Sequence, residues 1–279
     1  TWKRCQVWKD SITLWNDALK NYTNIPIAYN NRGLAYYTRG EYDKAFNDLN
    51  RALKIDPNYS RTYNNRGLVY HGKGLYDSAV VDFDQALALD PYYAKAYNNR
   101  GLTYYFKGDH QKAIGDFDQA LTLDPYYAKA YNNRGLAYFT KGDLDQAIND
   151  YDQALMIEPG YVKVYNNRAL AYYSKGAYDK AIADYNALLK FEPELAMIYN
   201  NRGIVYHAKK EYDLAIADYN RALRRNPNLV MAYNNRGMAY YRKGELDKAR
   251  RDAQIVQSFR ELPNPELLQL LKETSKREK

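Results

Sequence analysis

A short block, Tyr-Asn-Asn-Arg-Gly at Tyr29–Gly33, constrains this chain more than any other feature. Its first four residues return at Tyr63, Tyr97, Tyr131, Tyr165, Tyr199 and Tyr233, always 34 residues apart and with no insertion. A fixed period of roughly 20–50 residues signals a solenoid. Each unit is too small to bury its own apolar face, so it must stack on its neighbours.

The rest of the unit repeats as well. A tyrosine follows the block (Tyr36 and its equivalents), then a glycine (Gly40, Gly74, Gly108, Gly142, Gly176, Gly244) and an alanine (Ala45 and its equivalents). A large apolar residue comes next (Leu49, Phe83, Phe117, Tyr151, Tyr185, Tyr219), then a second alanine in five repeats, then Pro57, Pro91, Pro125, Pro159, Pro193 and Pro227. The pattern predicts two helices per unit, the first over about Pro26–Arg39 and the second over about Tyr42–Ile55. Gly40 supplies the turn between them, because glycine takes φ > 0 at no steric cost. The second helix stops at Asp56, because proline disfavours helix for the residue before it. Aromatic-x-x-x-Gly-x-x-Tyr, Ala-x-x-x-aromatic-x-x-Ala and Pro, in that order, resemble the tetratricopeptide repeat, or TPR. The resemblance implies an all-α, right-handed superhelix of antiparallel helix pairs. It covers seven repeats: 26–59, 60–93, 94–127, 128–161, 162–195, 196–229 and 230–263.

The two ends depart from the period. Counted back by 34, Trp8 and Trp15 fall on the positions of Tyr42 and Leu49, so residues 1–25 are expected to be the second helix of a truncated repeat, packed through these tryptophans. The stretch Val7–Trp15 also resembles the entry into repeat arrays carried by multi-pass membrane proteins, which implies attachment to a membrane domain outside this sequence. Residues 264–279, with Leu267, Leu268, Leu270 and Leu271 and a charged tail, are expected to form an amphipathic capping helix, since terminal repeats need a polar outer face. No run approaches the roughly 20 apolar residues of a membrane helix, and no secretory leader is legible. The compartment stays open, on either face of a membrane. The single cysteine, Cys5, precludes an intrachain disulfide.

Two columns carry the functional reading. The first is an arginine where TPRs usually place an apolar residue: Arg32, Arg66, Arg100, Arg134, Arg168, Arg202 and Arg236. Sixteen residues later stands Asp48, Asp82, Asp116, Asp150, Asp184, Asp218 or Asp252. The match in all seven repeats predicts a structural pair joining the two helices of each repeat. The other reading, exposed arginines gripping phosphates, gives no reason for the aspartate. The second column is Asn31, Asn65, Asn99, Asn133, Asn167, Asn201 and Asn235. Asparagine in a helix interior costs a few tenths of a kcal/mol against alanine. The column resembles the asparagine ladder of the TPR domain of the O-linked N-acetylglucosamine transferase, which implies a row facing the concave groove and holding peptide backbone. A carboxamide both donates and accepts, so it can grip a peptide unit whatever the side chain. Hydrogen bonding between neighbouring repeats is the alternative, and both can hold.

The same resemblance places the row Leu34 to Met238 in the groove, Leu102 and Leu136 among them. Tyr105, Phe139 and their equivalents lie beside it, and Lys95, Lys129 and Lys163 add positive charge. The surface departs from chaperone carboxylate-clamp TPRs, which place Lys at the Asn30 position and Asn at the Leu34 position. No catalytic constellation, phosphate-binding glycine loop or metal spacing is present: His71, His110 and His207 lie far apart. No cofactor is expected. The sequence therefore reads as a non-enzymatic scaffold for an extended peptide or partner protein. The net charge of +8 raises nucleic acid as a rival, against which stand the paired arginines and the neutral amides. Self-association through the N-terminal edge is a third reading.

Overall fold

The computed structural model describes residues 10–259, 263–265 and 267–269. Trp2, Cys5, Trp8, Leu270, Leu271 and the rest of the charged tail lie outside the described residues. The chain divides into two compact units, Thr1–Gln146 and Ala147–Lys279.

In the first unit α1 (Ser11–Asn21) precedes three full helix pairs: α2 (Pro26–Thr38) with α3 (Tyr42–Ile55), α4 (Ser60–Gly72) with α5 (Tyr76–Leu89), and α6 (Ala94–Phe106) with α7 (His110–Leu123). Then come α8 (Ala128–Lys141) and the start of α9 (Leu144–Ile157), which runs across the division. The second unit continues with α10 (Val162–Ser174), α11 (Tyr178–Phe191), α12 (Ala196–Ala208), α13 (Tyr212–Arg225), α14 (Val230–Arg242) and α15 (Leu246–Ser258). Each helix of the first unit from α1 to α8 packs on the next, and the first helices α2, α4, α6 and α8 also touch in succession. In the second unit α10 to α15 pack in order.

Local chemistry sets the boundaries. Pro26 opens α2, where its missing N–H is no loss. Gly40 closes it at φ 75°, with its N–H on the Tyr37 carbonyl and the Glu41 N–H on that of Tyr36. Five more glycines repeat this left-handed turn, and in the sixth repeat Lys210 adopts it at φ 64°. Asp56, extended ahead of Pro57, ends α3, and its carboxylate accepts the Asn58 N–H at 3.0 Å.

The core is built one repeat at a time. Leu49, Phe83 and Phe117 in the first unit, and Tyr151, Tyr185 and Tyr219 in the second, are fully buried. Burying one such side chain is worth about 1.5–3 kcal/mol. The block glycine makes room for it: a Cβ on Gly67 would stand 2.7 Å from Phe83 Cε1, and one on Gly203 2.6 Å from Tyr219 Cε1. In α1 the buried side chains are Ile12 and Leu19, and Trp15 is half-buried.

The seventh repeat has Ala253 at the position of the large residue. Leu267 fills the space instead. It is wholly buried with Met238, Ala249 and Ala253, and a Cβ on Gly237 would lie 2.9 Å from its Cδ2. Met238 is therefore covered rather than presented in a groove, a correction to the row expected from the sequence.

Candidate functional site

The arginine column is built as a three-way joint. Arg32 donates Nε and Nη2 to the two oxygens of Asp48 at 2.6 and 2.7 Å. The same fork joins Arg66 to Asp82, Arg100 to Asp116, Arg168 to Asp184, Arg202 to Asp218 and Arg236 to Asp252, with all distances between 2.6 and 2.9 Å. The aspartates are buried. Arg134 lies in the first unit, where its Nη1 donates to Asp118 at 2.6 Å. Asp150 is buried in the second.

The remaining donor of each arginine reaches a residue that sequence reasoning missed. Nη1 bonds Asn16 from Arg32, Asn50 from Arg66, Asp84 from Arg100, Asp152 from Arg168, Asn186 from Arg202 and Asn220 from Arg236. These partners sit on the second helix of the preceding repeat, so each arginine ties three helices and two repeats. The signal was available as a further 34-residue column, Asn or Asp sixteen residues before each arginine. Each guanidinium also stands over the ring three residues earlier, as Arg100 does over Tyr97 at 5.5 Å. The Asp116 hydrogen bonds hold the Arg100 guanidinium well above its ordinary range. With Nε, Nη1 and Nη2 all donating to aspartates, the guanidinium has little donor capacity and little uncompensated charge to offer a phosphate.

Both asparagines of the block join one amide network. In the first unit Asn133 Nδ2 donates to Asn98 Oδ1 at 2.9 Å, and Asn98 Nδ2 to Asn99 Oδ1 at 3.3 Å. Asn99 donates to Asn64 at 2.9 Å, Asn64 to Asn65 at 3.2 Å, Asn65 to Asn30 at 2.9 Å and Asn30 to Asn31 at 3.0 Å. The first asparagine of each block, Asn30, Asn64 or Asn98, is the buried acceptor. The second bridges to the preceding repeat. In the second unit Asn235 donates to Asn200 at 3.0 Å and Asn200 to Asn201 at 3.3 Å. Asn167 is half-buried there. At the last block the acceptor Asn234 Oδ1 receives the Asn264 backbone N–H at 2.8 Å, which replaces the amide of a further repeat.

A groove of about 790 Å³ runs along α2, α4, α6 and α8 of the first unit. It brings together Asn31, Leu34, Asn65, Leu68, Asn99, Lys95 and Lys129 from the sequence reading, and adds Arg61, Tyr93, Asp124 and Tyr127. Asn133, Leu102, Leu136, Tyr105 and Phe139 are not in its lining. Leu102 and Tyr105 instead pack, partly buried, against the cluster of Ala113, Ile114, Phe117 and Ala137, and the Tyr105 hydroxyl meets Thr140 Oγ1 at 3.1 Å. Leu136 and Phe139 are half-buried, and Lys163 is exposed on the second unit. Among the described residues no group of acidic, histidine or cysteine side chains could hold a metal, and no helix is long and apolar enough to cross a membrane.

Family models described as TPR repeat match residues 33–74, 135–176 and 169–210. Models described as tetratricopeptide repeat match 60–93, 94–127, 117–149, 196–229 and 218–251. No curated protein matches the chain. Among solved structures it is similar to a chain of the APC/C hetero-tetramer Cut9-Hcn1, at 22% identity and TM-score 0.71, over 84% of this chain but only 46% of that one. It is similar to MamA at 32% identity and TM-score 0.52, over 58% of this chain and 94% of MamA. It is also similar to YrrB, described as a TPR protein with an unusual peptide-binding site, at 21% identity and TM-score 0.51, over 70% and 97% of the two chains. With family matches running unbroken through residues 33–251 and a helix pair at each repeat, the chain belongs to the tetratricopeptide-repeat family, whose arrays are typically non-catalytic scaffolds for protein interaction.

Proposed function

We propose that the groove of the first unit binds an extended peptide segment of a partner protein, held largely by its backbone. The observation that carries the reading is the amide row of Asn31, Asn65 and Asn99 along the groove. Asn99 gives one N–H to Asn64 and receives one from Asn98. A carboxamide has two N–H groups and two lone pairs, so half of its capacity is left for a ligand. Leu34 and Leu68 beside the row supply apolar contact. The likeness to YrrB supports the reading by analogy of fold alone. The engaged arginines weigh against a nucleic-acid ligand. On this reading Asn133, Asn167, Asn201 and Asn235 serve chiefly to link repeats.

The test is a peptide-array screen followed by titration of the tightest binder. Asn99→Ala is expected to weaken binding about two- to tenfold, the value of one hydrogen bond, with circular dichroism confirming the fold. Unchanged affinity in a folded variant would leave the amides as links between repeats only.

A further inference from the structure

Three cations stand along this groove in consecutive repeats: Arg61, Lys95 and Lys129. Each is the second residue of its helix, α4, α6 or α8. The positive end of the helix dipole is there, so a cation in that turn is electrostatically unfavourable. Two second helices of this unit, α3 and α5, follow the opposite rule. Asp43 and Asp77 occupy the second position of α3 and α5, and each receives a lysine of the next repeat, Lys73 and Lys107. Arg61, Lys95 and Lys129 have no ionic partner among the described residues. Asp124, the acid in the groove lining, turns its carboxylate onto the Tyr126 N–H at 3.1 Å. The equivalent positions elsewhere are apolar, Ile27, Met197 and Met231, apart from Lys163, so the fold itself does not require a cation.

We infer that the groove's partner is an acidic extended segment, whose carboxylates meet Arg61, Lys95 and Lys129 while the asparagine amides hold its backbone. The inference rests on the peptide-binding reading above and adds the charge and spacing of the ligand. Successive first helices touch, so the cations are separated by one interhelical step of about 8–10 Å. A polyproline-II segment advances about 3.1 Å per residue and returns to the same side every third residue. An acidic residue at every third position therefore matches the row. A β-extended segment returns every second residue and falls out of register.

The experiment titrates the full chain with three labelled twelve-residue peptides of the same apolar and proline background. One carries Glu at every third position, one carries Gln at those positions, and one carries the same number of Glu residues at every second position. The every-third acidic peptide is expected to bind about tenfold tighter than the Gln peptide, the product of three exposed ion pairs at about two- to threefold each. The every-second peptide should fall between them. Lys95→Glu with Lys129→Glu should reverse the preference, so that the every-third acidic peptide binds more weakly than the Gln peptide. That variant places acids in the first turns of α6 and α8, which favours the fold. Equal binding of the Glu and Gln peptides would overturn the acidic partner and leave the backbone reading standing. Binding of neither would overturn both. Single-stranded RNA that binds more tightly than any of the peptides, and is lost in the same double variant, would overturn the proposal in favour of a nucleic-acid ligand.

Discussion

Arg100→Ala is expected to destabilise the first unit strongly. Arg100 makes two bonds to Asp116 at 2.8 and 2.7 Å and one to Asp84 at 2.5 Å. The two aspartates differ in what they lose. Asp116 is 6% exposed, so removing the guanidinium leaves a carboxylate without its counterion in the core. Half of the Asp84 side chain is already in water, at 52% exposure, and water replaces what it loses. Breaking a buried pair from one side costs about 3–5 kcal/mol, whereas an exposed pair is worth about 0–1 kcal/mol. Arg100→Ala should therefore cost about 3–5 kcal/mol and Asp84→Ala less than about 1 kcal/mol. Arg100→Ala combined with Asp116→Ala should cost less than the sum of the single changes, because neither partner is left unpaired. Urea unfolding followed at 222 nm on the parent, the three single variants (Asp116→Ala included) and the double variant measures this, with the slope checked, since a repeat array can unfold in parts. If Asp84→Ala costs as much as Arg100→Ala, or if Arg100→Ala unfolds with the parent, the buried-pair reasoning is wrong.

Four further outcomes follow from the geometry. Gly67→Ala should destabilise by about 1–3 kcal/mol, because the new Cβ would stand 2.7 Å from Phe83 Cε1; urea midpoints measure it. Lys210→Gly should stabilise by up to about 1 kcal/mol, since a side chain at φ 64° is strained where glycine is not; thermal unfolding reads the gain. Leu267→Ala should cost about 2–5 kcal/mol and speed amide exchange in α14 and α15 before the other helices, because the cavity opens over Gly237. His71, whose Nδ1 lies 2.9 Å from Thr103 Oγ1, has its pKa held below the ordinary value by burial. Its neutral form is the one folded in, so stability is full above about pH 6.5 and falls as pH drops through the unfolded value toward the folded one. His71→Gln should flatten that part of a stability–pH curve.

The period of 34, the two helices of each repeat and the arginine–aspartate spacing are all legible in the chain alone. They are relations within one repeat, where 3.6 residues per turn and one tight turn fix which positions face each other. Gly40 and Pro57 mark boundaries within a residue of those observed, because φ restrictions act locally. What joins one repeat to the next was decided by tertiary packing. Asn50 and Asp84 belong to a column of Asn or Asp that also recurs every 34 residues, yet only stacked helices bring them to Arg66 and Arg100. The sequence offered Asn31 and its equivalents as a ladder, and packing made Asn30, Asn64 and Asn98 its buried acceptors, because the two positions face different neighbours one helical residue apart. The substitution of Leu267 for the large residue absent at 253 breaks the period, and no spacing rule could find it. It follows from volume alone: the space over Gly237 had to be filled by whichever apolar side chain the chain could bring there, since an interior packed near crystal density leaves no void unfilled at low cost.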